Sequence, residues 1–188
     1  MHVFVTSILP NSMSFLFRLS VIFAVLTLLG CSESIPNTPA CRMHKNLSKV
    51  HLDSSADTFK AAACVIKTNN RLLLIRHRLS GKLDFPGGGR IDGVSAACTA
   101  HRETWEETGF NVEVQQFLGQ SSNGLLLFGC YTDAGLDVLP EVFDAPAWAT
   151  VEVTALEKVD PFLLTHDDLR FADDLVVLRD AYTAYSVK

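Results

Sequence analysis

The apolar positions of the chain fall into short runs that are separated by turn residues. Residues 61–67 (AAACVIK) and 71–77 (RLLLIRH) are two such runs, and Asn69 and Asn70 stand between them. Asparagine tolerates the left-handed backbone of a tight turn, so the two runs are predicted to form a β-hairpin. Residues 125–131 (LLLFGCY) form another apolar run, which predicts a buried strand.

The rest of the pattern predicts two helices and further strands. Residues 83–85 are predicted to be extended, and residues 112–118 and 147–153 are predicted as strands. Nothing breaks a helix over residues 94–108, where Ser95 suits the N-cap and Gly109 suits the stop. Apolar residues recur at helical spacing over residues 166–185, which predicts a second amphipathic helix. Strands, helix, strands and helix in this order predict an α/β fold with a mixed sheet between helices.

The first thirty residues are apolar in a different way. Residues 15–29 (FLFRLSVIFAVLTLL) carry one charge, Arg18, and residues 19–29 have the length of a signal-peptide core. A membrane span needs about 20 apolar residues, so this segment is short for one. The following residues, Leu28-Leu29-Gly30-Cys31-Ser32, resemble the lipobox of bacterial lipoproteins. That resemblance implies cleavage before Cys31, lipidation of Cys31 and anchoring at the cell envelope. Ser32 after the cysteine resembles the family's signal for sorting to the outer membrane, and an uncleaved signal anchor is the alternative.

Composition separates three regions and limits the partners. Residues 1–30 are predicted as a lipoprotein signal peptide, residues 31–58 as the lipidated N-terminus and a flexible linker rich in Ser, Asn and Pro, and residues 59–188 as one domain. The formal net charge is −5, which argues against broad contact with nucleic acid. A small phosphorylated ligand stays compatible with this charge. Nothing in the sequence fixes the oligomeric state.

The chain has five cysteines, one of which is Cys31. No C-x-x-C spacing occurs, so the cysteines do not indicate a zinc or thioredoxin-type site. In an oxidising compartment the other four could pair in three ways, but Cys64 and Cys130 also suit small core positions. No pairing is assigned from the sequence. The remaining cysteines are Cys41, Cys64, Cys98 and Cys130.

The stretch that carries chemistry runs over residues 85–110, FPGGGRIDGVSAACTAHRETWEETGF. Its glycines end any regular element, and the predicted helix follows them. Glu103, Glu106 and Glu107 stand at i, i+3 and i+4, so their carboxylates share one helix face. Like charges repel there unless a cation joins them, and hard oxygen ligands suit Mg²⁺ or Mn²⁺.

The same stretch resembles the Nudix box, G-x5-E-x7-R-E-U-x-E-E-x-G-U, in which U is a bulky apolar residue. Val94 stands where the box has its first Glu, and Thr104 stands at an apolar position. The resemblance implies an α/β/α sandwich and hydrolysis of a nucleoside diphosphate linked to another group, with Mg²⁺ as the cofactor. The positions that match the box are Gly88, Arg102, Glu103, Glu106, Glu107, Gly109 and Phe110.

The resemblance also implies roles for individual residues. Glu103, Glu106, Glu107 and a backbone carbonyl at Gly87 or Gly88 would bind the metal, and Arg102 would orient one of the carboxylates. Glu106 would be the general base, with Glu141, Asp144 and Glu152 as alternatives. Phosphate contacts, or exposed salt bridges, are expected for Arg76, His77, Arg78 and Arg90.

Two functional hypotheses follow from these observations. The first is a membrane-tethered, metal-dependent hydrolase of a small nucleotide-diphosphate compound. The second is a catalytically weak Nudix-fold module that binds a ligand or a protein. The intact R-E-x-x-E-E pattern favours the first hypothesis, and Val94 favours the second.

Overall fold

The computed structural model describes residues 36–45, 47 and 59–186. Short 3₁₀ turns occur at Leu136–Val138, Ala147–Ala149 and His166–Asp168. The strands are β1 Arg42–Met43, β2 Ala61–Thr68, β3 Arg71–His77, β4 Leu83–Asp84, β5 Gly87–Gly89, β6 Glu113–Gln120, β7 Leu125–Tyr131, β8 Val142–Phe143 and β9 Val153–Val159, and the helices are α1 Ala96–Thr108 and α2 Asp174–Ala184.

The described strands form one mixed sheet in the order β1–β6–β7–β2–β3–β9–β8, while β4 pairs with β3 and β5 pairs with β2. Two of these pairings are parallel, β1 with β6 and β2 with β7, and the others are antiparallel. The predicted hairpin of β2 and β3 is confirmed. Its turn residues Asn69 and Asn70 have φ angles of 47° and 61°, the left-handed backbone that a tight hairpin requires.

Both faces of the sheet are buried, because one helix covers each. Ala62, Cys64 and Ile66 of β2 point into a core with α1, and Ala63 and Val65 point into a second core with α2. A strand that is buried on both faces reads as a continuous apolar run, which is the pattern of residues 61–67. The predicted α/β fold with a mixed sheet is confirmed.

Two sequence-based element predictions are wrong. Residues 147–153 do not form a strand: Pro146 opens a 3₁₀ turn, in which the N–H of Ala149 donates to the carbonyl of Pro146, and β9 begins only at Val153. The second helix begins at Asp174 rather than at residue 166. Upstream of it, the Asp168 carboxylate caps the Thr165 backbone N–H at 2.7 Å, which favours a short turn over a continuous helix.

Part of the predicted linker is packed on the domain. Arg42–Met43 pairs in parallel with β6, and the N–H of His44 donates to the carbonyl of Val114. A disulfide joins Cys41 to Cys98 in α1. Residues 41–44 therefore belong to the folded unit, which the composition of this segment did not indicate.

The four described cysteines form two disulfides. Cys64 and Cys130 lie on the paired strands β2 and β7 and are buried, and the structure bonds them to each other. The sequence left their pairing open beside a role as small core residues, and the structure shows them both buried and paired. Cys41 and Cys98 are half-buried.

The predicted signal peptide, lipobox and lipidation site at Cys31 lie outside the described residues. In the described ranges, no helix is both long enough and apolar enough to cross a bilayer.

Candidate active site

The glycine-rich segment after β4 lies flat against the start of β2. Gly87–Gly89 pairs in antiparallel fashion with Ala61–Ala63, and a Cβ atom on Gly87 would overlap both the side chain and the backbone of Ala63. A Cβ atom on Gly88 would come within 2.5 Å of the Glu103 carboxylate. Because Gly87 and Gly88 have no side chains, their main chain can contact both the sheet and the helix α1 that carries the box glutamates.

The box helix α1 begins and ends as the sequence predicts. The Ser95 hydroxyl accepts a hydrogen bond from the N–H of Cys98, and Gly109 ends the helix in the left-handed conformation with a φ of 73°. Glu103, Glu106 and Glu107 share one face of α1, and Glu103 and Glu107 reach the glycine segment. Glu107 is 8% exposed, and its carboxylate accepts a hydrogen bond of 2.7 Å from the N–H of Gly87.

Arg102 holds two of the three glutamates. Its guanidinium donates to Glu103 Oε1 at 2.6 Å, to Glu106 Oε2 at 2.9 Å and to the carbonyl of Gly89 at 2.9 Å. The expected hydrogen bond from Arg102 to a carboxylate is thus present, and it is made twice. Arg102 Nε is buried without a hydrogen-bond partner among the described residues.

Glu103 and Glu107 lie in a negative and largely buried environment. Burial raises the pKa of Glu107 well above its ordinary value, against the opposing effect of the Gly87 N–H, and the charges of Glu103, Asp84 and Glu152 raise it further. Burial also raises the pKa of Glu103, and Arg102 partly offsets that effect. Deprotonated carboxylates in this place need a compensating positive charge.

The donor set fits a hard divalent cation, because it consists of carboxylate oxygens beside the main chain of the glycine segment. No group of three acidic, histidine or cysteine side chains in the described residues converges on a point where it could hold an ion. Glu103 and Glu106 turn toward Arg102, and Glu107 turns toward Gly87. Binding a metal would therefore require these carboxylates to turn toward a common point.

The structure separates the other candidate carboxylates. Glu152 is near enough for its charge to raise the pKa of Glu103 and of Glu107. Glu141 is exposed and forms an ion pair of 2.8 Å with Arg71, at the opposite end of β3 from the glycine segment. Asp144 is exposed. Of these three, Glu152 is the one that the fold brings to the glutamates of α1.

The basic residues predicted near phosphate have protein partners. Arg76 forms a two-point ion pair with Glu157, and the second of its contacts measures 2.8 Å. Arg78 donates through its side chain to the carbonyl of Thr150. The remaining two also make local contacts: His77 lies 3.1 Å from Ser80 Oγ, and Arg90 forms an ion pair of 2.7 Å with Asp92.

A cavity of about 360 Å³ opens beside the glycine segment, on the sheet face that α2 covers. Asp84 forms an ion pair of 3.2 Å with Arg170 at this cavity, and Phe171 is 42% exposed there. Sequence reasoning missed these residues, because they come from separate segments and no local motif joins them. The cavity is lined by Ala61, Ala63, Asp84, Phe85, Gly87, Gly88, Gly89, Asn123, Leu125, Arg170 and Phe171.

Comparison with known proteins agrees with this architecture. A "MutT-like protein" from Streptomyces ambofaciens is 30% identical over 125 residues, which cover 56% of this chain and 81% of that protein. An ADP-ribose pyrophosphatase from Streptococcus suis matches with a TM-score of 0.53 at 18% identity, over 68% of this chain and 92% of that one. A NUDIX hydrolase from Nitrosomonas europaea matches with a TM-score of 0.51 at 18% identity, over 69% and 75%. At these identities the two solved structures show a shared fold.

The family model of the NUDIX domain matches residues 58–172, which include the whole glycine segment, α1 and the sheet from β2 to β9. The chain therefore belongs to the Nudix family, and it is a pyrophosphohydrolase of the Nudix type.

Proposed function

We propose that this protein hydrolyses a nucleoside diphosphate linked to another group, with Mg²⁺ or Mn²⁺ as the cofactor, while anchored to the bacterial envelope. The observation that supports the reaction most directly is the contact between the glycine segment and the carboxylates of α1. The N–H of Gly87 donates to the Glu107 carboxylate, and the Glu103 carboxylate lies so close to Gly88 that a Cβ atom there would overlap it. This arrangement concentrates acidic oxygens at a backbone that a phosphate chain can approach.

We assign the metal ligands to Glu103, Glu106, Glu107 and the carbonyl of Gly88. A bound divalent ion would neutralise charge on the pyrophosphate and so lower the barrier to attack by water. Arg102 stays next to Glu103 and Glu106 and orients both carboxylates. The positive charges of Arg102 and of the ion would together stabilise the ionised form of these glutamates.

Hydrolysis forms one bond from water oxygen to phosphorus and breaks the bond from phosphorus to the leaving phosphate oxygen. A carboxylate must accept the proton that the water loses. Glu106 is our first choice for this base, as the sequence suggests. Glu152 is the alternative that the fold supports, because its charge reaches Glu103 and Glu107.

The cavity beside the glycine segment is suited to the nucleoside part of the substrate. Its volume of about 360 Å³ lies within the usual range for small-molecule sites. The half-exposed ring of Phe171 offers a stacking surface, and Asn123 and Arg170 offer polar contacts. The shared lining by Gly87 and Gly88 would place the phosphates next to the carboxylates.

The envelope location rests on Cys31 and on the described disulfides. Cys31 in the lipobox is the proposed lipidation site. Two disulfides, Cys41–Cys98 and Cys64–Cys130, are typical of proteins that fold in an oxidising compartment. They therefore favour the periplasmic face of the membrane over the cytoplasm.

The test is product release by the full chain, purified in detergent from a bacterial host with an oxidising periplasm. A fragment from residue 59 would lose Cys41 and β1, so it is unsuitable. NAD, ADP-ribose, sugar nucleotides, dinucleoside polyphosphates and nucleoside triphosphates are each supplied with Mg²⁺ or Mn²⁺. We expect metal-dependent release of a phosphorylated product from at least one of them.

Glu152→Gln tests the choice of base: a chain that keeps its Mn²⁺ affinity but loses turnover at saturating metal would assign the base to Glu152, and a chain that keeps both would leave Glu106 as the base. Mass spectrometry of the envelope-bound chain tests whether Cys31 carries acyl groups. Absence of turnover on every substrate, from a folded chain that still binds a nucleotide, would overturn the hydrolase proposal. The catalytically weak binding module would then be the better description.

A further inference from the structure

The last turn of α1 has a hydrogen-bond partner that lies outside the helix. A helix leaves its final carbonyl groups without intrahelical donors. The N–H of Gly109 donates to the carbonyl of Trp105, but the N–H of Phe110 turns to the Thr108 hydroxyl at 3.1 Å. The carbonyl of Glu106 therefore lacks its usual i+4 donor.

Trp148 supplies that donor. Its indole Nε1–H donates to the carbonyl of Glu106 at 3.0 Å, across 42 residues of sequence. Trp148 belongs to the 3₁₀ turn Ala147–Ala149, which Pro146 opens. This turn, which stands where a strand was predicted, thus brings an indole group to the end of α1.

Side-chain packing also holds Trp148 against the end of α1. A Cβ atom on Gly109 would lie 3.1 Å from Pro146 Cγ and 3.5 Å from Trp148 Cζ2, so the turn rests on the helix stop. The rings of Trp105 and Trp148 have centroids 6.0 Å apart and planes 32° apart. Trp105 is half-buried, and its own Nε1 is buried without a partner among the described residues.

The segment that follows Trp148 leads to Glu152, the alternative base. The N–H of Glu152 donates to the carbonyl of Ala149 at 3.0 Å, and the carbonyl of Glu152 accepts from the N–H of Arg78 at 2.7 Å. The segment is therefore attached at one end to α1 and at the other end to β3. Movement of Trp148 would be transmitted both to α1 and to Glu152.

We propose that Trp148 is a positioning residue, whose indole N–H fixes the main chain of Glu106 and so sets the direction in which Glu106 and Glu107 project toward the metal. This inference rests on the proposed function, because the ligands are assigned there. It concerns one hydrogen bond outside the Nudix box. Trp148 is neither one of the proposed metal ligands nor part of the cavity lining.

The two tryptophans of the chain provide a matched pair of variants. Trp148→Phe removes a hydrogen-bonded N–H, whereas Trp105→Phe removes an N–H that has no partner in the part of the chain that the structure describes. The affinity for Mn²⁺ alone is measured on the full chain by electron paramagnetic resonance, and kcat is measured at saturating Mn²⁺. We expect Trp148→Phe to weaken Mn²⁺ binding by about 10-fold, the usual effect of losing an outer-shell contact, and Trp105→Phe to change it by less than about 2-fold.

A second experiment separates the hydrogen bond from packing. In the Trp105→Phe chain, Trp148 is replaced by 3-benzothienylalanine, which keeps the fused ring but has sulfur in place of the N–H. We expect the same loss of Mn²⁺ affinity at an unchanged melting temperature. This replacement also decides the question if Trp148→Phe does not fold.

The outcomes distinguish the two proposals. A wild-type chain that binds no Mn²⁺ would overturn the metal site, and the Trp148 proposal with it. If the Trp148→Phe and benzothienyl chains both bind Mn²⁺ as tightly as wild type, the role of Trp148 is overturned and the metal site stays intact.

Discussion

The backbone N–H of Gly87 donates to the carboxylate of Glu107 at 2.7 Å, across 20 residues of sequence. This hydrogen bond joins the two halves of the box, the glycine segment and the helix. It also fixes the more deeply buried of the proposed ligands. The functional consequences of this contact can be tested at each end.

Replacement of Glu107 by glutamine tests the helix end. Gln can still accept from the N–H of Gly87 but cannot supply a negative charge, so we expect Mn²⁺ binding to be lost and kcat to fall by about 100-fold or more. Because burial raises the pKa of Glu107, removing its charge costs the fold nothing, and the melting temperature should not fall. Calorimetric metal titration and turnover are the measurements. Glu141→Gln, at the opposite end of β3, is the control and should retain both; full turnover by Glu107→Gln contradicts the assignment.

The glycine end offers neighbouring positions with different surroundings. Gly88→Ala places a methyl group 2.5 Å from the flexible Glu103 carboxylate, so we expect that carboxylate to move and Mn²⁺ affinity to drop by about 10-fold in a folded protein. Gly89→Ala meets nothing within 4 Å and should behave like wild type. Equal Mn²⁺ affinity in the two variants would show that Glu103 does not need its present position.

Val94 is the departure from the box that bears most on activity. Val94→Glu restores the carboxylate that the box has there. We expect kcat/KM to rise several-fold, because the chain would then carry every carboxylate of the box. Val94→Gln serves as the uncharged control. A Val94→Glu chain with unchanged kcat/KM would indicate that the site functions fully without this carboxylate.

The two disulfides should differ in their response to a reductant. Cys41–Cys98 is half-buried, whereas Cys64–Cys130 is almost completely buried, so a graded dithiothreitol titration should open Cys41–Cys98 first. Its loop of 57 residues corresponds to about 4 kcal/mol of chain entropy, or a decrease in melting temperature of about 10 °C. Alkylation followed by mass spectrometry identifies the free thiols. Earlier opening of Cys64–Cys130 would contradict this order.

Asp174 predicts a dependence of stability on pH. Its two carboxylate oxygens are buried without a hydrogen-bond partner among the described residues, and burial, together with Asp84 and Asp173, raises its pKa to about 6. Below about pH 4 the carboxyl is protonated in both the folded and the unfolded chain. As pH rises from about 4 to 6, the unfolded chain releases the proton first, so the fold loses stability over that interval.

Asp174→Asn removes this titration. We expect its melting temperature to exceed that of wild type by a few degrees at pH 7.5 and to match it near pH 4. Thermal unfolding at both pH values is the measurement. Asp180→Asn on the same helix, at an exposed position, should show no such difference. An Asp174→Asn chain that is less stable than wild type at pH 7.5 would show that the ionised carboxylate is accommodated.

The elements of this fold that sequence reasoning predicted well are those with strong local determinants. The Asn69-Asn70 turn, the N-cap at Ser95 and the stop at Gly109 each depend on the backbone preference of the residue itself. The box residues were predictable as a group, because helical spacing alone places three glutamates on one face.

Tertiary structure decided the features that depend on distant partners. Residues 147–149 form a turn because Pro146 and Trp148 pack on the end of α1, whereas local composition favours a strand. Residues 42–43 become a strand because β6 offers an unpaired edge. The pairing of four cysteines and the cavity at Phe171 likewise depend on segments far apart in sequence. The sequence by itself determined which groups carry the chemistry, since those groups share one helix; only the folded chain decided what surrounds them, because burial and long-range hydrogen bonds have no local signature.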